Sequence, residues 1–512
     1  MKVKSIVIVG GGSSGWCSAA ALAKFCPGIK ITVIESDTVP TIGVGESTIQ
    51  YFNTFIKLLG IEDKDWMKYC SATYKGAIKF TDFNKGQHYY APFKFLQNNF
   101  EFNKRLENWA IISAVDNSIT PDLFAKYIWN GSYLLDQNKI TTINNTLDFK
   151  LEDNTSYNLD ASKFGEYLKE FYCKPRGVEH ITDTVTVINK DENGFITDLN
   201  EKYIADLYID CTGFSSLLLE KTMGSEFKPY DELFNDRAVV FNNIAYKDKD
   251  SELEMYTNTI AQDYGWVWNI PLWNRISNGY VFSKKFTTDE QALNYLHNHV
   301  TTVRGKDRAD SQTPFYVDIK NGRHEKAWIK NVVGIGLSYG FIEPLGSTGL
   351  LLTQRGIIRL ITQLNARNFD YNSFDIENFN VASADLLDSL KDFYLIHFIT
   401  TTREDTAYWK HIKYNLIPHS DSFKRINQKI AYTISETSGY LPIDLFHWQL
   451  FGMGYNSYNI DMFKNFVESG DITAYGKRKA AEFNREFMQY TLYTAELPSL
   501  LEYLQSTIYA EV

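Results

Sequence analysis

Cysteine is scarce in this chain, and metal-ligand patterns are absent from it. Five cysteines (Cys17, Cys26, Cys70, Cys173 and Cys211) are scattered over 512 residues without a C-x-x-C pair. We therefore expect reduced core thiols and neither a disulfide framework nor a zinc site. The nine histidines show no H-x-x-x-H or H-x-x-E-H pattern, so we expect no protein-bound metal.

Positive charge and long apolar runs are also lacking. The formal net charge is −10, which argues against a nucleic-acid-binding surface and against an anionic membrane as partner. No run approaches the roughly eighteen apolar residues of a membrane-spanning helix, and the N-terminus has no signal-peptide pattern. With 44% hydrophobic residues, the composition is that of a globular protein with an ample core. We expect a cytoplasmic location.

The best-defined pattern lies in the first 35 residues. An apolar run predicts a buried strand at 5–9, and Gly10, Gly12 and Gly15 follow with G-x-G-x-x-G spacing. A helical segment and a second strand then end at Glu35, where a dinucleotide-binding fold has its acid. The first glycine allows a tight turn, the second lets a pyrophosphate approach the backbone, and the third lets helix and strand pack closely. We predict dinucleotide binding, and this stretch alone leaves FAD and NAD open.

The remaining chain indicates an α/β fold with an added sheet. A glycine-punctuated loop at 40–48 is typical of segments that wrap a cofactor. The apolar strand that ends in Asp210-Cys211-Thr212-Gly213 is typical of the flavoprotein monooxygenase-type Rossmann-like fold. Strand patterns dominate from 237 to 286, residues 96–147 are expected to be irregular, and the pattern is helical from about 365 onward. We predict an FAD-binding box at 1–365, with a nucleotide-binding sheet and a second sheet, and a mainly helical substrate-side module at 366–512.

Three features point to chemistry. In Trp266-Val267-Trp268-Asn269-Ile270-Pro271 two tryptophans at i and i+2 share one face of a strand, although an isolated pair of this kind is more often core. The Ser347-Thr348-Gly349 turn opens a helix, so its backbone N–H groups can form an anion nest. Lys75 lies in an apolar strand, where desolvation would lower its pKa and make the amine chemically usable.

Together these features resemble the flavin-dependent halogenases of the tryptophan halogenase family, over nearly the whole chain to about Trp409. The shared motifs stand in the family's order: the G-x-G-x-x-G opening, G-V-G-E-x-T (43–48), W-x-W-x-I-P, 279–283, Gly322-Arg323, Ala327-Trp328, 336–338, 341–349 and 398–403.

The resemblance implies a set of site residues. FAD, as FADH2 from a separate flavin reductase, would be bound by the following residues: Gly10, Gly12, Ser13, Ser14, Gly15, Glu35, Gly43, Val44, Gly45, Glu46, Gly336 and Leu345. With O2 it would oxidise a halide ion held at Ser347, Thr348 and Gly349. Trp266, Trp268 and Pro271 would separate flavin and substrate. The hypohalous acid would reach Lys75, which orients it by a hydrogen bond or becomes a haloamine.

Two lysines compete for this role. Lys75 and Lys79 lie four residues apart and would share a strand face, so Lys79 could also approach the site. The family's lysine matches Lys75, and we assign the role to Lys75.

The chain departs from the family where the substrate binds. Members that act on tryptophan carry a glutamate where this chain has Gly346, and that glutamate polarises the hypohalous acid or takes the ring proton. Glu343 is retained and is interpreted as structural. Phe93 and Pro344 are candidate pocket residues, but near Tyr440 the family's stacking tryptophan is missing. The resemblance therefore favours an indole or phenol over free tryptophan, and bromide or iodide over chloride.

Two alternatives remain open. One is an FAD-dependent hydroxylase or other oxidoreductase on the same fold, and the other is a catalytically silent flavin-binding protein in which Gly346 marks decay. W-x-W-x-I-P counts against the first, while Lys75 and the intact Ser347-Thr348-Gly349 turn count against the second. The family resemblance suggests a monomer or homodimer.

Overall fold

The chain folds into two compact units, and each unit is built from three segments that alternate along the sequence. The computed structural model describes residues 2–38, 45–94, 100–399, 401–416 and 470–510. The first unit comprises Met1–Ala72, Leu159–Asp236 and Asp318–Asp388, and the second comprises Thr73–Asn158, Arg237–Val317 and Ser389–Val512. The chain thus passes between them five times. The sequence-based division into 1–365 and 366–512 stays a prediction.

A six-stranded sheet forms the centre of the first unit. Five strands pair in parallel, and the sixth is an antiparallel edge strand; the order is Glu179–Thr182, Lys30–Glu35, Ser5–Val9, Leu207–Asp210, Val332–Gly334 and Trp328–Ile329. Residues 6–9 are buried throughout, as expected for a parallel strand that is covered on both faces. The predicted Rossmann-like α/β fold is confirmed.

The other elements of the first unit are short strands and helices. The strands are Gly45–Ser47, Phe227–Pro229, Gly322–His324 and Gly340–Phe341, with the hairpin Ile188–Lys190 and Ile196–Leu199. The α-helices are Ser13–Phe25, Tyr51–Leu59, Asp63–Trp66, Ala161–Tyr167, Gly349–Ala366 and the first part of Ser373–Ile399. The 3₁₀ turns are Lys174–Arg176, Gly213–Ser215, Gly336–Ser338 and Pro344–Gly346, and the π-turns are Leu168–Cys173 and Leu217–Thr222.

A seven-stranded sheet forms the centre of the second unit. Its order is Phe315–Asp318, Arg237–Ile244, Ile276–Phe282, Gly265–Pro271, Tyr256–Gln262, Ala77–Thr81 and His88–Pro92. The helix Asp289–Arg304 covers one face because Ala292, Leu296 and Val300 pack on the apolar side chains of Val267 and Tyr280. The predicted second sheet is therefore present.

The remaining elements of the second unit are mostly helical. Its other strands are Thr73–Lys75, Ile143–Asn144, Phe149–Lys150 and Ser156–Asp160. Its α-helices are Phe100–Val115, Phe124–Ile128, Tyr133–Asp136, Leu151–Asn154, Lys249–Glu252, Asp289–Arg304, Lys306–Asp310, Ala407–His411, Gly470–Ala495 and Leu500–Thr507. Its shorter turns are Pro121–Leu123, Asn130–Ser132 and the π-turn Ile412–Leu416. Among the described residues, no helix is both long and apolar enough to cross a membrane.

The expectation of an irregular segment at 96–147 is wrong for its described part. Phe100–Val115 is a helix that packs against Gly470–Ala495. A Cβ atom at Gly476 would lie 2.8 Å from Cγ2 of Ile111, so the two helices approach closely at this glycine. The helix is stabilised by a segment about 360 residues away in sequence, which a local pattern does not reveal.

We expect one buried histidine to make the second unit acid-sensitive. His397 is fully buried, and its ring centroid lies 4.4 Å from that of Phe80. Burial lowers the pKa of His397 to about 3. The unfolded chain takes up this proton below pH 6.5, the folded state does not, and stability is therefore lost as the pH falls from about 6.5 toward 3. The loss at pH 5 is about 2 kcal/mol.

The measurement is urea unfolding of the wild type and His397→Phe from pH 7.5 to pH 4.5. The variant should show a shallower fall in unfolding free energy with acid. Phe80→Leu is the control, because it disturbs the same buried ring contact without removing a titratable group and should leave the slope unchanged. Parallel curves for the wild type and His397→Phe would contradict the prediction.

Candidate active site

The glycine fingerprint adopts the geometry of a dinucleotide-binding turn. Gly10 has φ +110°, and a Cβ there would collide with the carbonyl oxygen of Cys211. A Cβ at Gly15 would collide with the carbonyl oxygen of Gly10, so this glycine lets the helix Ser13–Phe25 pack on the turn. A Cβ at Gly12 would meet nothing within 4 Å. The second glycine therefore leaves open space in front of the helix N-terminus, where an anion is stabilised.

A cavity of about 240 Å³ lies against this turn. Its lining combines the fingerprint with a helix from later in the chain: Gly11, Gly12, Ser13, Trp16, Glu35, Ser162, Gly165, Glu166 and Lys169. The buried hydroxyl oxygen of Ser162 has no hydrogen-bond partner. The cavity is smaller than the roughly 300–1,000 Å³ of a whole ligand pocket, so it fits one part of a dinucleotide, and the residues present suit a nucleoside and its phosphate.

Glu35 lies at the edge of this cavity with two basic partners that the sequence did not reveal. Its Oε2 is 3.2 Å from Nζ of Lys169 and 2.9 Å from Nε2 of His180. Lys169 belongs to the π-turn Leu168–Cys173, which directly continues the helix Ala161–Tyr167. Burial, and secondarily Lys169, lowers the pKa of His180. No sequence motif marks Lys169, Ser162 or His180, because they join the site through the parallel strand order and the π-turn.

Several other predicted cofactor residues lie together. The Ser14 hydroxyl is 2.8 Å from that of Thr353, and Ser13 donates a hydrogen bond to the carbonyl of Ala161. Gly336 has φ +71°, and a Cβ there would lie 2.8 Å from the Thr353 hydroxyl. Gly336 thus packs against the fingerprint helix, and its role in cofactor binding stays a prediction. Gly43 and Val44 lie outside the described residues.

The Ser347-Thr348-Gly349 turn has the conformation that an anion nest requires. Ser347 is left-handed with φ +58°, the 3₁₀ turn Pro344–Gly346 precedes it, and the helix Gly349–Ala366 begins directly after Thr348. Ser347 and Thr348 are buried. A Cβ at Gly349 would lie 3.2 Å from Oε1 of Glu46, so the predicted halide and cofactor loops are neighbours within the first unit.

Glu343 is buried, and one of its carboxylate oxygens is hydrogen-bonded within the protein. Its side chain is fully buried, Oε2 accepts a hydrogen bond of 2.8 Å from Asn235, and its backbone N–H donates to Asn321 at 2.7 Å. Leu345 is likewise fully buried. These contacts support the structural interpretation of Glu343 and give no reason to regard it as a replacement for the glutamate missing at Gly346.

Lys75 is fully buried in the second unit. Lys75 ends the strand Thr73–Lys75 and pairs with Ser156 of the neighbouring strand. The Nζ atom of Lys75 lies 5.3 Å from the ring centroid of Phe93. Gly76 separates this strand from the strand Ala77–Thr81. A Cβ atom at Gly76 would lie 2.9 Å from the side chain of Leu135. The predicted pocket residue Phe93 is thus beside the predicted catalytic amine.

Trp266 and Trp268 share one face of the strand Gly265–Pro271, as predicted, with ring centroids 6.2 Å apart. Both are buried. The carbonyl of Pro271, at the end of this strand, accepts a 2.8 Å hydrogen bond from the hydroxyl of Thr73. The W-x-W-x-I-P strand is therefore tied to the strand that ends in Lys75.

Lys79 lies on the opposite face of the sheet from these tryptophans. Lys79 pairs with Asn258, whereas Trp268 pairs with Thr259, the next residue of the same strand. Paired residues share a face and successive residues alternate. The Lys79 amine is instead 5.4 Å and 5.2 Å from the ring centroids of Tyr90 and Tyr256. Burial lowers the pKa of Lys79, and Glu254 opposes that shift.

Comparison with known protein families identifies the family to which the chain belongs. The sequence model described as tryptophan halogenase matches residues 5–467. This chain belongs to the tryptophan halogenase family.

Relatives in this family resemble the chain along most of its length. Tryptophan 6-halogenase SttH of Streptomyces toxytricini is 33% identical over 437 residues, which cover 81% of each chain. Tryptophan 7-halogenase RebH of Lentzea aerocolonigenes is 31% identical over 432 residues, or 80% of this chain and 78% of that one. The solved structure of apo VirX1 has a TM-score of 0.90 at 35% identity, covering 99% of this chain and 100% of that one. As a tryptophan halogenase family member, the protein is a halogenating oxidoreductase.

Proposed function

We propose that this halogenase uses FADH2, O2 and halide to form hypohalous acid, which Lys75 directs onto an electron-rich aromatic ring of the indole or phenol type. The observation that carries the proposal is the burial of the Lys75 amine beside Phe93, on a strand bonded to the tryptophan strand. An amine removed from water in this way can hold a small neutral oxidant that bulk solvent would disperse.

FAD is the cofactor that the first unit fits. The open face at Gly12, the unpartnered hydroxyl of Ser162 and the carboxylate of Glu35 provide an anion position, a hydrogen-bonding group and a ribose acceptor. When bound in reduced form, FAD would supply the reaction with O2 that oxidises halide to hypohalous acid. A separate flavin reductase would provide the reduced cofactor. Thr348 and Gly349 would hold the halide by their backbone N–H groups, while Ser347, whose own N–H donates to the carbonyl of Pro344 at 3.2 Å, would shape the turn.

The second unit would orient the oxidant at Lys75 and exclude water from it. Lys75 donates a hydrogen bond to the hypohalous acid or becomes a haloamine. In either case the ring carbon gains the halogen, the ring loses one proton, and the oxygen leaves as water. Trp266 and Trp268 would keep substrate away from the flavin, so that the ring is not hydroxylated directly.

The substrate preference follows from Gly346. A positioned base is typically worth about 10²–10⁴ in rate, and Gly346 has no side chain to act as one. An electron-rich ring tolerates this loss, because its protonated adduct regains aromaticity by losing a proton even to water. Because Gly346 also has no side chain to polarise the hypohalous acid, we propose that the easily oxidised halides, bromide and iodide, are preferred to chloride.

The test is a product assay by mass spectrometry. Purified protein, FAD, NADH and an unrelated flavin reductase are incubated with indoles, phenols and tryptophan, with chloride, bromide and iodide in separate reactions. We expect halogenated indoles and phenols, formed fastest with bromide or iodide. If tryptophan and chloride were the only reactive pair, the substrate proposal would be wrong. Hydroxylated product would instead favour an FAD-dependent hydroxylase, and no product would favour a silent flavoprotein.

A further inference from the structure

A lysine of the second unit lies directly on an aromatic stack that the proposed reaction does not use. Nζ of Lys249 is 3.2 Å from the ring centroid of Trp273. The indole of Trp273 is stacked on Tyr509, with centroids 3.8 Å apart and planes 7° from parallel. A third ring, that of Tyr246, has its centroid 5.6 Å from the same nitrogen. Lys249 and the stacked pair are each partly exposed, so a small solute can reach them.

The Lys249 amine has aromatic rings where a surface lysine usually has oxygen acceptors. Among the described residues, no carboxylate or carbonyl lies within hydrogen-bond or ion-pair distance of its Nζ. Desolvation lowers the pKa of Lys249 to about 8. At pH 7.5 its neutral, nucleophilic fraction is about two hundred times that of a lysine with the ordinary pKa near 10.4.

We propose that Lys249 is a second halogen-accepting amine, which captures free hypohalous acid and passes the halogen to Trp273, the ring that it contacts. The site would thus be a self-halogenation site for oxidant that escapes into solution. The proposal rests on the proposed function only for the source of the hypohalous acid; the capture itself depends on the geometry of the Lys249 site.

Both steps balance without another reagent. The Lys249 amine attacks the halogen of the hypohalous acid, the N–halogen bond forms, the O–halogen bond breaks, and the amine proton and hydroxide leave as water. The haloamine then transfers the halogen to a carbon of the indole below it, and the ring proton returns to the nitrogen. The Lys249 nitrogen already lies against the face of the indole, so transfer should outpace reaction with rings met only by diffusion.

The same unit contains a matched control. Lys413 also has its Nζ over a tyrosine, 5.5 Å from the ring centroid of Tyr414. Its amine, however, is bonded to Glu404 at 2.6 Å, and that bond raises the pKa of Lys413. Tyr414 is 57% exposed. Attack governed by exposure alone would favour Tyr414, whereas transfer through a neutral amine would favour the rings at Lys249.

The first experiment supplies the oxidant directly. The wild type, Lys249→Leu and Lys413→Leu are treated with limiting hypobromous acid at pH 7.5, and bromine is located by peptide mass spectrometry. We expect about tenfold more bromine on Trp273 than on Tyr414. Lys249→Leu should lose this excess, and Lys413→Leu should keep it. Equal labelling of all exposed rings in the wild type, or an excess that survives Lys249→Leu, would overturn the proposal.

A second variant covers a loss of packing in Lys249→Leu. Lys249→Arg keeps a cation over Trp273, but its guanidinium stays protonated and offers no neutral amine. It should retain the wild-type melting temperature and still lose the excess bromine. A Lys249→Arg protein that brominates Trp273 as well as the wild type would also overturn the proposal.

A turnover experiment separates this proposal from the proposed function. The enzyme is supplied with reductase, NADH, FAD and bromide but no aromatic substrate. Bromine on Trp273 would support both proposals. Selective labelling with added hypobromous acid but none during turnover would retain the Lys249 site and count against hypohalous acid formation by this chain.

Discussion

Replacing Lys75 by alanine should reduce halogenated product by at least about a hundredfold, within the 10²–10⁴ range that positioned groups contribute. The physical reason is that, in the proposed mechanism, the amine beside Phe93 holds the oxidant against the ring. Reduced flavin consumption should continue, because the FAD-binding residues belong to the other unit. The measurement is product formed per NADH consumed, together with a colour-forming trap for free hypohalous acid. The trap signal should rise in Lys75→Ala as product falls.

Lys79→Ala is the matched control for this variant. It removes an amine four residues away on the opposite sheet face from Trp268, so product per NADH should stay within about twofold of the wild type. Because Lys79 is partly buried near Glu254, both variants need a melting curve. If Lys75→Ala kept full, trap-sensitive activity, the halogenation would arise from leaked oxidant; if Lys79→Ala alone lost activity, the assignment of the two lysines would be reversed.

Replacing Gly12 by aspartate should weaken FAD binding by about a hundredfold while the protein stays folded. Gly12 is the N-cap of the helix Ser13–Phe25, with extended backbone angles that aspartate adopts readily, and a Cβ there meets nothing. Aspartate is moreover a favourable N-cap residue. Its carboxylate would nevertheless occupy the position where the helix N-terminus is predicted to attract the pyrophosphate, and two like charges a few ångströms apart at low dielectric repel by several kcal/mol.

The control is Gly12→Ala at the same position. It adds a methyl group without charge, so its FAD dissociation constant should stay within about threefold of the wild type. Flavin fluorescence titration gives the dissociation constants, and circular dichroism melting shows that both variants are folded. Equal affinities for Gly12→Asp and wild type would mean that the fingerprint does not hold a pyrophosphate.

The parts of the fold that the sequence revealed are those with local causes. The strand at 5–9, the three glycines and Glu35 could be predicted because each is required by the conformation of one short segment. The shared face of Trp266 and Trp268 followed from strand alternation alone. The turn at 347–349 that opens a helix was likewise implied by a run of three small residues before an apolar segment, whereas the left-handed conformation of Ser347 was not predicted.

The parts that escaped prediction have distant causes. Lys169 reaches Glu35 only because a π-turn follows the helix Ala161–Tyr167, and the helix Phe100–Val115 depends on a partner near residue 476. The sequence placed Lys75 and Lys79 on one strand face. Gly76 divides that strand in two, and the pairing of Lys79 with Asn258 then puts it on the face away from Trp268. Strand breaks and sheet register are set by tertiary contacts rather than by local pattern.

The alternation of the chain between two units also has a consequence for synthesis. The central strand Ser5–Val9 lies between strands that begin at Lys30 and Leu207, and Val332–Gly334 must follow before the parallel sheet is complete. At roughly 5–20 residues per second, a ribosome takes on the order of 15 s to a minute to deliver that last parallel strand. The unpaired edge of Leu207–Asp210 is exposed for part of this time, and nascent-chain chaperones should therefore engage this enzyme before its flavin site exists.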